Sequence, residues 1–217
     1  MWHEITTLLY KELLLEWKQK YAFNGLLLYV LSMVVVIALA MAGSLNPLSW
    51  NILYWIIILF VAINAVAKSF MSEKIGHLRY LYALASPSSI MIAKLIYNWI
   101  LLFLISGLTL FFHAFLGGID IAKPAVMLAL ILLGSGSLSA NLTLVTAISA
   151  QAENRTTLLA VLSFPLVIPI LLMLIRISRS AIEGLASTNN DRLWMLMGMT
   201  VVLAVLSTIL FPFVWRE

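Results

Sequence analysis

Six apolar runs, each long enough to cross a lipid bilayer, make up most of this 217-residue sequence. A membrane-spanning helix needs about 20 predominantly apolar residues, because the hydrocarbon core is about 30 Å thick. The connections between the runs are short, except for one polar stretch of helix length over residues 68–94. Six spans and their connections consume the chain, which leaves no room for a separate soluble catalytic domain.

The composition indicates an integral membrane protein. Apolar residues make up 63% of the chain and charged residues 10%, whereas a soluble domain has roughly 45–50% apolar and about 25% charged residues. The absence of cysteine excludes disulfides, thiolate metal ligands and the C-x-x-C-H haem-attachment motif. The net charge of +4 does not indicate nucleic-acid binding, because the basic residues lie beside the predicted spans. We therefore expect a lipid bilayer and no nucleic acid as the surroundings.

The sequence predicts an all-α integral membrane fold, in which six transmembrane helices follow an amphipathic interfacial helix over residues 1–20, within a single domain of residues 1–217. Apolar residues in the first helix recur at helical spacing and form one stripe. They are Trp2, Ile5, Leu9, Leu13 and Trp17. Glu12 and Glu16 flank this stripe, so a charged leader before the first span is the alternative. The predicted spans are residues 22–42, 48–67, 95–116, 125–148, 158–175 and 193–214.

The positions of lysine and arginine set the expected orientation. If the amino terminus is cytoplasmic, nine of the 13 basic residues lie on the cytoplasmic side. The positive-inside rule then puts both termini in the cytoplasm. The outer loop 176–192 carries Arg176, Arg179 and Arg192, which weaken the bias there and leave the topology of that loop open.

The cytoplasmic connection 68–94 is the strongest candidate for a mechanical role. It has an apolar and a polar helical face, and Ser86-Pro87 ends one helix and can begin the next. Lys94, Tyr97 and Trp99 then form an interfacial anchor for the third span. A short helix held between two spans can transmit movement from a soluble partner, or it can be a solvated loop that contacts nothing. The candidate ATPase-docking residues are Glu73, Lys74, Gly76, His77, Leu78, Arg79 and Leu81.

Pro165 and Pro169 interrupt the fifth span. Each lacks a backbone donor and disturbs the carbonyl four residues earlier, so both freed carbonyls lie on one helical face. In a membrane such groups must find partners inside protein. The pair predicts either a hinge at a moving interface or a static kink.

The fourth span is rich in small and polar residues, among them Gly134, Gly136 and Asn141. Small residues let helices approach closely, which indicates helix packing or a homodimer seam. A polar conduit is the alternative. The amide of Asn141 needs a partner in hydrocarbon.

The chain shows no means of driving itself. No ionisable side chain lies deep within the predicted spans, which argues against ion-coupled transport. No G-x-x-x-x-G-K-[ST] motif occurs, so ATP must be bound and hydrolysed by a separate subunit. We find no catalytic constellation and no metal site, and therefore no enzyme. His113 is the one side chain considered as a ligand for haem iron, with hydrogen bonding as the alternative.

The connection resembles that of ABC-2-type exporter permeases. The residues that carry this likeness are Glu73, Gly76, Leu78, Leu81 and Pro87, followed by Ala93-Lys94. Over its whole length the chain resembles the B subunit of the cytochrome c maturation system, the CcmB or haem-exporter B family. This wider likeness includes Lys11-Glu12-Leu13 and the run Phe164-Pro165-Leu166-Val167-Ile168-Pro169-Ile170-Leu171-Leu172.

The resemblance implies a homodimeric permease in the bacterial inner membrane, paired with an ABC ATPase subunit on the cytoplasmic face. Its other partners would be a haem-handling membrane subunit and a haem chaperone. ATP hydrolysis on the partner would drive haem export or the release of a haem-loaded chaperone, with no cofactor bound directly by this chain. Two alternatives stay open: a different ABC-2-type exporter permease for lipid or drug, and a non-transporting scaffold of a multisubunit complex.

Overall fold

Seven α-helices and no strand occur in the part of the chain that the computed structural model describes, residues 2–18, 20–41, 46–71, 85–150, 154–184 and 189–214. In chain order the helices are α1 (Trp2–Lys18), α2 (Lys20–Ala40), α3 (Pro47–Met71), α4 (Pro87–Gly117), α5 (Pro124–Ser149), α6 (Arg155–Ile182) and α7 (Asn189–Val214). Helices α2 to α7 are long and apolar enough to cross a membrane. This confirms the predicted all-α fold, with six spans preceded by a shorter and less apolar helix.

Helix α4 has clear sequence signals at both ends. Ser86 is its N-cap, and the Ser86 Oγ accepts a hydrogen bond from the Ser89 backbone N–H at 3.4 Å. Pro87 occupies the first turn, where its missing N–H has no partner to lose. The helix stops at Gly118, whose φ of +63° is a left-handed conformation that glycine adopts without strain.

Helix α5 lies at the centre of the bundle and packs against α3, α4, α6 and α7. All of its residues from Gly134 to Ala147 are buried. A Cβ atom added at Gly134 would lie 2.9 Å from Leu174 Cδ2 and 3.1 Å from Trp55 Cη2, so the missing side chain is what allows this approach. The small residues of α5 therefore serve packing between helices of the same chain.

Helix α6 continues through residues 176–182, which the sequence analysis placed in an outer loop. Its last turn carries an ion pair between Arg179 Nε and Glu183 Oε1 at 2.9 Å, in the favourable i, i+4 relation. The Lys123 backbone N–H donates to the Ala181 carbonyl at 2.9 Å and joins the preceding loop to this end of α6. Because this turn carries charged residues, a prediction from hydropathy alone places the end of the helix too early.

The connection 68–94 is partly a continuation of its two flanking helices. Helix α3 extends to Met71, and α4 begins at Pro87. The 31 residues of α4 make a helix about 46 Å long, whereas the hydrocarbon core is about 30 Å thick. Helix α4 is therefore longer than an untilted span needs.

Candidate functional site

The middle of the connection lies outside the described residues, and its two ends are described. All seven candidate docking residues fall in that middle part: Glu73, Lys74, Gly76, His77, Leu78, Arg79 and Leu81. One described end is Ser69, in the last turn of α3, and the other is Ser86, directly before α4. Both ends are hydrogen-bonded to other elements, Ser69 to Lys94 and Ser86 to Glu4. We call these four residues the base of the connection.

Helix α1 packs along the first turns of α4. Its glutamates contact α4 in chain order. Glu4 bonds Ser86, Glu12 pairs with Lys94, and Glu16 bonds Tyr97. Because the residue numbers rise together on both helices, α1 and α4 run side by side in the same direction.

The two faces of α1 have different surroundings. Ile5, which lies among the glutamates on the helix, is 3% exposed, whereas Trp2 and Tyr10 are 76% and 67% exposed. Large apolar side chains on one face of a charged helix are typical of a helix at the lipid headgroup boundary. The carboxylates that flank the predicted stripe thus face protein, which explains the imperfect amphipathic pattern.

Glu4 binds the N-terminus of α4. Its Oε2 accepts hydrogen bonds from the Ser86 Oγ at 3.3 Å and the Ser86 backbone N–H at 3.4 Å. Hydrogen bonding lowers the pKa of the Glu4 carboxyl, and the bond from Ser89 is the largest cause, followed by that from the Ser86 backbone. The ionised carboxylate is therefore the form that holds α1 at this helix start.

Lys94 joins three helices at the base of the connection. Its side chain is 2% exposed, and its Nζ donates to the Ser69 carbonyl of α3 at 2.9 Å. The same Nζ lies 3.5 Å from Glu12 Oε1 of α1. One helical turn further along α4, the Tyr97 hydroxyl donates to Glu16 Oε2 at 2.8 Å. The sequence analysis treated Lys94 and Tyr97 as interfacial anchors and missed their partners on α1.

His113 lies at the other end of α4, buried against α3. Its Nε2 donates to the Trp50 carbonyl, and the Trp50 Nε1 donates to the His113 carbonyl, each at 3.1 Å. The two rings stack with centroids 4.6 Å apart. Within the described residues no group of three His, Cys, Asp or Glu side chains is arranged to hold a metal ion. The Nε2 of His113 is thus bonded to α3, and iron ligation by His113 stays a prediction.

A second buried polar cluster joins α3 to α6, and the sequence analysis missed it. The Asn51 Nδ2 donates to the Ile175 carbonyl at 2.8 Å, and the Ser178 Oγ donates to Asn51 Oδ1 at 2.6 Å. The Trp55 Nε1 donates to Ser178 Oγ at 2.8 Å. The pattern of Trp50, Asn51 and Trp55 at the start of an apolar helix was the available signal. With the His113 pair, this cluster makes α3 the link between α4 and α6.

The remaining candidates lie on α5 and α6. A Cβ at Gly136 would lie 3.2 Å from Trp99 Nε1 and 3.3 Å from Thr200 Cγ2. The missing side chain therefore lets α4 and α7 pack closely against α5. Asn141 is 2% exposed, and neither its Oδ1 nor its Nδ2 has a hydrogen-bond partner among the described residues. Pro165 and Pro169 lie on an exposed face of α6, which stays helical through both.

An apolar groove opens between α4, α5 and α7. Its volume is about 510 Å³, and Gly136 and Ala140 are part of its floor. The polar groups along it bond inward: the Ser139 Oγ donates to the Leu95 carbonyl and the Trp99 Nε1 donates to the Leu132 carbonyl. The groove therefore presents an apolar surface.

Comparison with known proteins identifies the family. The family model described as CcmB protein matches residues 3–216, which is nearly the entire chain. A comparison with curated proteins finds no match. The family consists of membrane subunits of ABC-type haem-export systems in cytochrome c biogenesis, which are not themselves catalytic. On this match the chain belongs to the CcmB family.

Proposed function

We propose that this protein couples ATP hydrolysis by a separate ABC ATPase subunit to haem export or to the release of a haem-loaded chaperone. It acts as a homodimer in the bacterial inner membrane, with both termini in the cytoplasm. Family membership supports the association with an ABC ATPase and other components of the maturation system. The haem belongs to the complex as cargo, and ATP binds to the partner subunit.

The observation that carries this proposal is the anchoring of both ends of the connection. Ser69 is bonded to Lys94, and Ser86 is bonded to Glu4. A force applied between these ends by a bound ATPase would act directly on α3 and α4. A loosely tethered loop would absorb such a force instead.

The mechanism follows from the links that α3 makes along its length. Closure of the ATPase pair on ATP would displace the segment 73–84, and with it the cytoplasmic ends of α3 and α4. At the other end, α3 is joined to α4 by Trp50 and His113 and to α6 by Asn51 and Ser178. A displacement of α3 therefore reaches the outer surface, where it changes the face offered to a haem-handling partner or a substrate.

The proline face of α6 is the surface we propose for the homodimer contact. Val161 and Pro165 are exposed, and their carbonyls lose the N–H donors that Pro165 and Pro169 cannot supply. The exposed side chains around them, among them Phe164, Leu166 and Ile168, form an apolar surface that a second copy of the chain would cover.

The decisive experiment compares wild type with Glu73→Arg and Gly76→Trp after purification with native partners. We expect both variants to insert in the membrane and to lose the ATPase subunit together with ATP turnover. Asp120→Arg, at an exposed position in the loop between α4 and α5, is the matched control and keeps both. Retention of ATPase and turnover in the connection variants would refute docking there and favour the scaffold alternative.

A further inference from the structure

We infer that Lys94 is a positioning residue that makes α1 part of the coupling unit, so that movement of the connection carries α1 with it. This inference rests on the proposed function, since it needs an ATPase that moves the connection. The sequence analysis predicted α1 as a helix lying at the membrane surface and assigned it no part in coupling.

The geometry around the Lys94 ammonium is the first support. The group is buried, and it contacts the Ser69 carbonyl of α3 and the Glu12 carboxylate of α1 while it belongs to α4. A buried ammonium is stable only when acceptors replace its water. The three helices must therefore keep their mutual positions, or move together, for the charge to stay solvated.

The contacts on either side of Lys94 give the second support. Glu4 bonds Ser86 before it, and Glu16 bonds Tyr97 after it. Three polar contacts spread over successive turns fix both the distance and the direction of α1 relative to α4. Within the described residues, α1 packs mainly against α4 and to a smaller extent against α2. Its position therefore depends on α4 rather than on the rest of the bundle.

The consequence is a second output of the ATP-driven movement. The exposed face of α1 carries Trp2, Tyr10 and Leu13, which suit the headgroup boundary of the bilayer. When the start of α4 is displaced, α1 is displaced along this boundary. Lys94 would thus transmit the motion of the connection to the membrane surface as well as across the membrane.

The test measures the movement of α1 directly. The chain has no cysteine, so spin labels at Thr7→Cys and Asp191→Cys report one distance between α1 and the exposed start of α7, a helix outside the set that Lys94 joins. We expect MgATP to change this distance in the complex of the wild-type chain with its ATPase. In Lys94→Met, which keeps side-chain length and removes the donors, we expect the ATPase to be retained and the distance change to be lost.

Two variants serve as controls. Lys94→Arg keeps the charge and the donors, and we expect it to keep the distance change. Lys11→Met removes a 36% exposed lysine whose Nζ lies 3.6 Å from the same Glu12 oxygen, and we expect it to behave as wild type. If Lys94→Met fails to insert, the distance change is measured in Glu12→Gln instead. This variant retains the shape of Glu12 and removes only its charge.

An unchanged distance response in Lys94→Met, or in Glu12→Gln when that variant decides, would overturn the inference. So would a wild-type complex that hydrolyses ATP with no change in the distance. A wild-type chain that retains no ATPase would instead refute the proposed function, and the inference with it. The ATPase content of each preparation therefore separates the two failures.

Discussion

Gly134 shows how one missing side chain sets the distance between helices. Its Cα faces Leu174 and Trp55, and an added Cβ would lie 2.9 Å and 3.1 Å from their nearest atoms. We expect Gly134→Val to lower the free energy of unfolding by about 1–3 kcal/mol, because the buried neighbours cannot withdraw without shifting a helix. Thermal unfolding in detergent measures this. Gly107→Ala is the control, since nothing lies within 4 Å of a Cβ there, and an equal loss in both variants would contradict the packing role.

Asn141 and Asn98 are both buried amides, and within the described residues only Asn98 has a hydrogen-bond partner. The Asn98 Nδ2 donates to Thr143 Oγ1 at 3.0 Å, whereas both polar atoms of Asn141 are unbonded. Removing a buried group that has no partner removes its desolvation penalty, which is about 1–3 kcal/mol. We therefore expect Asn141→Leu to keep or raise the unfolding temperature and Asn98→Leu to lower it. A lower unfolding temperature for Asn141→Leu would mean that the amide is bonded in the folded protein.

At the scale of elements, the docking of α1 should depend on pH through Glu4. The pKa of Glu4 is lowered in the docked helix, so its carboxylate stabilises docking at pH values above the ordinary glutamate pKa of about 4.3. This stabilisation is lost as the pH falls through the lowered pKa. We expect a spin label at Thr7→Cys to gain mobility in that acid range. Glu4→Gln should be mobile already at neutral pH, and a label that is equally immobile in both proteins would argue against this contact.

The two prolines of α6 give a second prediction at this scale. Replacing Pro165 and Pro169 with alanine restores the N–H donors to the carbonyls of residues 161 and 165 and changes the shape of the exposed face that we propose for the dimer contact. We expect the double variant to keep the helical fold and to lower the dimer fraction that single-molecule photobleaching measures in bilayers. Pro212→Ala in α7 is the matched control. An unchanged dimer fraction in the double variant would exclude this face as the contact.

The existence of the helices could be predicted from hydropathy and the start of α4 from Ser86-Pro87, but the end of α6 and the polar contacts between helices could not. The end of α6 is stabilised by the ion pair between Arg179 and Glu183. Because both residues are charged, a prediction based on apolar runs assigns this segment to a loop. Glu12 and Glu16 look like flaws in an apolar stripe until Lys94 and Tyr97 lie beside them, and those partners are about 80 residues away in the sequence. Asn51 and Ser178 are further apart still. Residue types and spacing predict a helix, whereas pairing between helices depends on how the bundle folds.

Two contacts at opposite ends of the bundle assign its loops to two sides. The bond between Lys123 and Ala181 puts the loop before α5 and the end of α6 on one side. The bond between Glu4 and Ser86 puts α1 and the connection on the other side. The excess of basic residues on the side of α1 predicts that this side is cytoplasmic.

Single cysteines in the otherwise cysteine-free chain test this orientation in cells. Asp120→Cys and Glu183→Cys should react with a membrane-impermeant maleimide in intact spheroplasts, and Thr7→Cys should react only after permeabilisation. Different reactivity of residues 120 and 183 would contradict the contact between the loop and α6. Agreement between those two, but with the opposite sidedness, would keep the bundle and reverse its orientation. The connection would then lie outside the cell, where ATP is scarce, and a coupling role for it would be ruled out.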